Sequence, residues 1–356
     1  MKHLEKRARI ILGVAAVASV AGGALHAGGG SAVLTFLVCA VALAALATLV
    51  GEAPEQLGAR LGPGPTGVIQ SALGNLPELF VGIFALREGL VGVVQGAVVG
   101  SILGNSLLVL GAAFVAGGLR HGTQRFSGDA ARLIVTLALL SVAALAMPSL
   151  ATQLHTPAAG HQDQLAVVVS LVLLAVFGAS LVVSLRHRHS DAAGGDVRAA
   201  PAVHWPMALT VGLLGAAGVG AALVSDWFVT ALTPATESLH ISQGFTGLVI
   251  VAIAGNAVEN VVGIQMMARN NPDTAISVIL QSSLQVALVL IPALVLLSHV
   301  VGGAVFTLSF PPLLVAALVL TALIQAVVVD DGESTWIEGL ALIGVYVVIA
   351  TSFWWG

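Results

Sequence analysis

Eleven apolar stretches, at 10–25, 31–50, 66–87, 90–118, 130–149, 164–185, 206–224, 244–268, 273–298, 303–329 and 336–354, take up most of the chain. A helix needs roughly 20 apolar residues to cross the hydrocarbon of a bilayer, and these runs are of that order. Strands of a β-barrel would be about half as long and would alternate in polarity, which these runs do not. Composition removes the soluble alternative: with 58% hydrophobic and 8% charged residues there is too little polar side chain to cover a water-facing surface. The expected fold is an all-α polytopic membrane protein of about 11 transmembrane helices, with the lipid bilayer as its surroundings.

The positive charges give that bundle a direction. Lys2, Lys6, Arg7 and Arg9 precede the first run, which reads as a retained span rather than as the core of a signal peptide. With the N-terminus in the cytoplasm, the loops on that side collect Arg60, Arg120, Arg125, Arg132, Arg186, Arg188, Arg198 and Arg269, leaving only Arg87 outside. The expected setting is the inner membrane of a bacterial cell. The net charge of −4 says little about partners; no nucleic-acid partner is expected, and the oligomeric state is left open. Cys39, the single cysteine, cannot form an internal disulfide and is expected to pack.

Two polar motifs interrupt the apolar runs at a fixed spacing. Gly74-Asn75-Leu76-Pro77-Glu78-Leu79 is answered 181 positions later by Gly255-Asn256-Ala257-Val258-Glu259, and Gly82-Ile83 and Ser101 recur at the same offset as Gly263-Ile264 and Ser282. The chain therefore divides into an N-terminal helix (1–30), a first five-helix repeat (31–185), a cytoplasmic linker (186–205) and a second five-helix repeat (206–356). Five spans is an odd number, so the second repeat must cross in the opposite sense to the first, the inverted plan of many secondary transporters.

On a helix, positions i and i+3 share a face, so Asn75 with Glu78 and Asn256 with Glu259 each present oxygen ligands in one direction, and two such faces could enclose a cation. Glu78 and Glu259 are the deepest carboxylates, and an ionisable group at membrane depth usually faces a partner or a water-filled path. Gly74 and Gly255 loosen the helix and let other backbone approach; Pro77, which cannot donate to the carbonyl of Leu73, is expected to free that oxygen as a ligand. Ser101, Asn105, Ser282 and Gln285 lie one span along and either coordinate directly or knit helices together. Glu52 and Asp226, near the ends of matching spans, either conduct ions or are simply solvated. None of the ten histidines falls at the middle of a span, so the ligands available in the membrane are oxygens; the pair His187 and His189 is more simply part of a basic loop than a metal site.

These motifs resemble the cation/proton exchanger (CAX) family of the calcium/cation antiporters. The resemblance is carried by Gly74–Leu79, Gly100-Ser101-Ile102-Leu103-Gly104-Asn105, Gly255–Glu259 and Ser282-Ser283-Leu284-Gln285, with Gly51-Glu52, Ser225-Asp226, Gly118–Phe126 and Asp331–Gly339 also fitting. It implies a transporter rather than an enzyme, needing no cofactor, that exchanges cytoplasmic Ca2+ for H+ by alternating access at a midplane site. Glu78 and Glu259 would hold the metal ion, the motif amides, glycines and hydroxyls would help bind it, and Glu52 and Asp226 would conduct cations towards it. The chain departs from the family pattern at Asn260, where a His is usual, and at Gln281, where a Gly is usual. A Na+-coupled or Na+/H+ exchanger of the same superfamily is the nearest rival; a cation channel or an intramembrane metalloenzyme is the rival from another class. The inverted duplication favours a transporter.

Overall fold

Inside a bilayer each backbone amide must find its partner within its own segment, and the computed structural model of this chain, which describes residues 6–61, 73–193 and 206–355, is built almost wholly of helices. They are α1 (Lys6–Ala27), α2 (Ala32–Leu61), α3 (Leu76–Arg87), α4 (Val91–His121), α5 (Gly128–Gln153) and α6 (Gln162–Ala193). After them come α7 (Met207–Leu239), α8 (Gln243–Gly255), α9 (Ala257–Ala268), α10 (Pro272–Val301), α11 (Pro312–Val329) and α12 (Trp336–Ser352). Eight of the described helices are long and apolar enough to cross a membrane, α8 and α9 are an apolar pair bent by 62° at the break between them, and α12 is a shorter apolar helix. The expected run at 66–87 lies partly outside the described residues, so a count of eleven is not reached. Three boundaries differ from expectation. Helix α7 continues to Leu239 rather than ending near 224, residues 302–311 are not helical, and α6 runs to Ala193, eight residues into the stretch expected to be the linker; 194–205 lie outside the described residues.

The 181-residue spacing of the motifs is also a spacing of the backbone. Helices α3 and α9 are each 12 residues long, and both their first and their last residues stand 181 apart. Helix α4 contains a π-helical turn at Gly104–Val109 and α10 one at Val286–Leu290, ending at the equivalent residue. A third π turn, Thr246–Val251, lies in α8.

Glycine sets the distance between the most enclosed helices. A Cβ at Gly100 would fall 2.1 Å from the carbonyl oxygen of Leu248 and one at Gly247 would fall 2.3 Å from that of Val93, so α4 and α8 cross backbone against backbone. Neither backbone can yield as a side chain can. Gly100→Ala should therefore cost the fold roughly 1–3 kcal/mol or more of packing, as overfilled cores do, and lower the yield of monodisperse protein in detergent; a Gly100→Ala protein with unchanged thermal stability would contradict this crossing. Helices α2 and α7 pack along their length, with Phe36 stacked on Phe228 at 4.7 Å, and α1 lies against both, Gly22 facing the buried Cys39 and Gly23 facing Trp227.

Two loops tie distant parts of the chain together at opposite ends of the sequence repeat. After α4, His121 Nε2 meets the carbonyl of Ala268 at 3.0 Å, Gln124 Nε2 donates to Met267 O and Asn270 Oδ1, and Ser127 N donates to Asp273 Oδ1. Gln124–Arg125 (β1) also pairs with Glu333–Ser334 (β2). After α10, Ala304 N donates to Leu86 O, Gln95 Nε2 donates to Ser309 O, and Ser149 Oγ bridges Leu308 O and Phe310 N. The ion pairs Arg125–Glu333 and Arg132–Asp330 flank β1 and β2 on an exposed surface and add little stability. Glu338, from the Asp331–Gly339 segment, completes a capping box with Thr335 at the start of α12.

Candidate functional site

Each motif stands where a helix breaks. Asn75 (φ −96°, ψ 21°) precedes α3, and Asn256 (φ −93°, ψ 22°) precedes α9, both in the sparsely populated region beside the helical basin. The backbone is nearly the same in the copy that lacks a proline, so this geometry does not depend on Pro77. It occupies the first turn of α3, where the backbone N–H has no intrahelical partner in any case, so the ring is accommodated without breaking anything. Glu78 and Glu259 are the third residues of α3 and α9, near the free N–H groups and positive dipole end that favour a carboxylate. The side chain of Glu259 lies outside the described residues.

The two motifs meet. Gly255 lies directly against the buried Glu78: a Cβ there would sit 2.5 Å from Glu78 Cγ, 2.7 Å from Cδ and 2.8 Å from Oε1. One residue on, the buried Asn256 is held from both halves of the sequence. Its Nδ2 donates to Ser101 Oγ at 2.9 Å and Ala252 O at 3.0 Å, while its Oδ1 accepts from Asn105 Nδ2 at 3.1 Å. Asn105 Nδ2 also reaches Ser282 Oγ at 3.0 Å, and Ser106 Oγ lies 3.0 Å from Ser283 Oγ. The small and amide residues of α4 and α10 thus knit helices together. Asn75 differs from its counterpart: it is buried, and its Nδ2 finds no partner among the described residues.

Glu78 also faces a cleft walled by Leu43, Val81, Phe228 and Val251, in which it is the one polar side chain among the described lining residues. This apolar wall was not expected from the sequence, since Leu43 and Phe228 are ordinary residues of ordinary apolar helices. Gln285 is half-buried at the start of the π turn in α10. Glu52 and Asp226 are not among the described residues that line the cleft beside Glu78. Glu52 stands nine residues along α2 from Leu43, roughly 13 Å at helical rise, and Asp226 is on the exposed side of α7, two residues before Phe228. Among the described residues no three His, Cys, Asp or Glu side chains cluster as a metal site.

Helices long and apolar enough to span a membrane, with a buried carboxylate of one motif packed on the other motif, define a polytopic membrane protein. The chain belongs to the sodium/calcium exchanger protein family, whose model matches residues 31–186 and 209–355, in agreement with the resemblance carried by the motifs. It is 33% identical over 341 residues to a protein of Synechocystis sp. named Ca2+/H+ antiporter, covering 89% of this chain and 90% of that one. It is 34% identical over 334 residues to the Ca2+/H+ antiporter ChaA of Bacillus subtilis, covering 91% and 92%. Its structure is similar to that of native YfkE, with a TM-score of 0.82 at 28% identity over 97% of this chain and 99% of the other. It shares its fold with the H+/Ca2+ exchanger CAX, at a TM-score of 0.77 and 16% identity over 98% and 92%.

Proposed function

We propose that this protein is a secondary antiporter that exchanges cytoplasmic Ca2+ for protons, with Glu78 and Glu259 as the ligands that both ions share. The observation that carries the reading is the contact of Glu78 with Gly255 beside the Asn256 knot, because it joins the two motifs into one buried site. Ca2+ takes about six to eight oxygens, and two carboxylates with nearby amides, hydroxyls and the carbonyls at the helix breaks supply that class of ligand. Two carboxylates in one poorly hydrated site share a proton when no cation neutralises them. Ca2+ arriving then displaces protons, and protons arriving displace Ca2+; the competition becomes antiport if the site opens to one side at a time. The names of the similar antiporters support this choice of ions. The 181-residue recurrence of α3 and of the π turns supports two inverted repeats. Glu52 and Asp226 are proposed to conduct cations towards the site from its two sides, with the N-terminus cytoplasmic.

Purified protein in vesicles with an acidic interior should take up Ca2+ while the lumen loses protons. The same vesicles should be tested with Mn2+ and with an imposed Na+ gradient. Ca2+ uptake driven by Na+ without proton movement would replace this reading with Na+-coupled exchange, and flux that never exceeds equilibration would replace it with a channel.

A further inference from the structure

Several buried side-chain atoms in this protein have no hydrogen-bond partner among the described residues, and four of them lie on the π turn of α4 or on the two helices, α11 and α12, that pack against it. They are Asn105 Oδ1, Thr321 Oγ1, Gln325 Nε2 and Tyr346 Oη, on residues that are 1%, 0%, 2% and 4% exposed. Asn105 sits in the π turn of α4, and both α11 and α12 pack on that turn. Thr321 and Gln325 are one turn apart on the same face of α11. Tyr346 is placed by the antiparallel register of α12 against α4: Gly118 lies on Trp336 and Gly111 on Gly339 and Leu342, so the residue one turn beyond Leu342 comes level with Gly104–Val109.

Four polar groups in such a place are costly unless something bonds them. Each buried donor or acceptor left unsatisfied loses about 1–3 kcal/mol, and in native proteins such groups are met by ordered water. Valine, leucine and phenylalanine would fill the same positions of α11 and α12 with no such cost. The π turn adds carbonyls displaced from the regular helical pattern, a device found mostly at functional positions.

We propose that Thr321, Gln325 and Tyr346 hold a file of water that carries protons between the Asp330 end of α11 and the carboxylates, behind α4 and apart from the apolar cleft beside Glu78. The proposal rests on the Ca2+/H+ reading above and adds a second route to it. At its outer end Gln325 is five residues from Asp330, roughly 7–8 Å at helical rise, where Asp330 pairs with Arg132 and Asp331 accepts from Glu333 N. At its inner end Asn105 bonds Asn256, which caps the start of α9 three residues before Glu259. In each hop a water accepts a proton on one side and releases one on the other, so the file neither gains nor loses any. None of its stations is a carboxylate, so a divalent cation finds no anionic ligand along it.

The test uses the full chain in vesicles and two readings of the same preparation: Ca2+-driven proton movement followed by a pH dye, and Ca2+/Ca2+ self-exchange followed by isotope, which needs no proton. Gln325→Met with Thr321→Val, and separately Tyr346→Phe, keep side-chain shape and remove the polar atom. Proton-coupled flux should fall about tenfold in the double variant while self-exchange stays within about twofold, as expected when one hydrogen-bonded step of a pathway is lost. Self-exchange that falls in parallel would make these groups supports of the fold, and proton flux equal to wild type would remove the route; either overturns the proposal while leaving the antiport reading standing. Wild-type protein that moves Ca2+ without protons would overturn both.

Discussion

Vesicles carrying Glu78→Gln should accumulate no Ca2+ above background, although the protein in them is folded. The substitution keeps the length and branching of a side chain that is buried between Gly255 and an apolar wall, so packing changes little. What is lost is a negative charge in a place where water cannot replace it. Two unit charges about 4 Å apart at an effective dielectric constant near 20 attract by about 4 kcal/mol, and a divalent ion doubles that before desolvation is subtracted; the smaller figure alone corresponds to roughly a thousandfold in affinity. Glu259→Gln should match it, since Glu259 holds the same position in α9 that Glu78 holds in α3. Isotope uptake under a pH gradient, with thermal unfolding in detergent as the check on folding, decides the matter. Uptake by Glu78→Gln at the wild-type rate would move the site elsewhere.

The second large effect is expected from a single methyl group. Gly255→Ala places a Cβ less than 3 Å from three atoms of the Glu78 side chain, so the carboxylate has to shift. A displacement of about 1 Å at a binding site can cost around a hundredfold, and apparent Ca2+ affinity should fall on that scale. The comparison is Gly263→Ala in the neighbouring helix α9, whose Cβ would meet Ile279 Cγ1 at 2.5 Å and Cδ1 at 2.8 Å. That variant should unfold at a lower temperature yet bind Ca2+ with near-normal affinity. Equal affinity loss in both would mean that α8 and α9 respond together, and that Gly255 has no special relation to Glu78.

Long apolar runs fix the architecture because the bilayer admits few alternatives, and most spans were legible from residue types alone. The Gly-Asn breaks were legible too, because the motif occurs twice. They do not depend on Pro77, since the backbone at Asn256 is nearly the same without a proline. The π turns were invisible, since Gly104–Val109 and Val286–Leu290 carry no composition that separates them from ordinary helix. The knot was half visible. Ser101, Asn105 and Ser282 could be named as polar residues near the motifs, but that they bond Asn256, 155 residues away in the case of Ser101, is a property of the assembled bundle. The wall formed by Leu43 and Phe228 had no signal at all.

The paired loops carry a consequence for how the protein is made. The loop after α4 is fastened to the far end of α9, with Gln124 bonding Asn270 across 146 residues, and the loop after α10 is fastened back onto the end of α3 and onto Ser149. When α1–α6 have entered the membrane, the loop after α4 has nothing yet to hold, because the residues that receive it are still unsynthesised. Contacts of such long sequence separation form late and slowly. Neither half is thus a finished object, and each is closed by a strip of the other, as two hooks close only on each other. A nascent chain halted after α6 would expose His121, Gln124 and the start of α5 without their partners, an open seam that α9 and α10 of a second copy could fill.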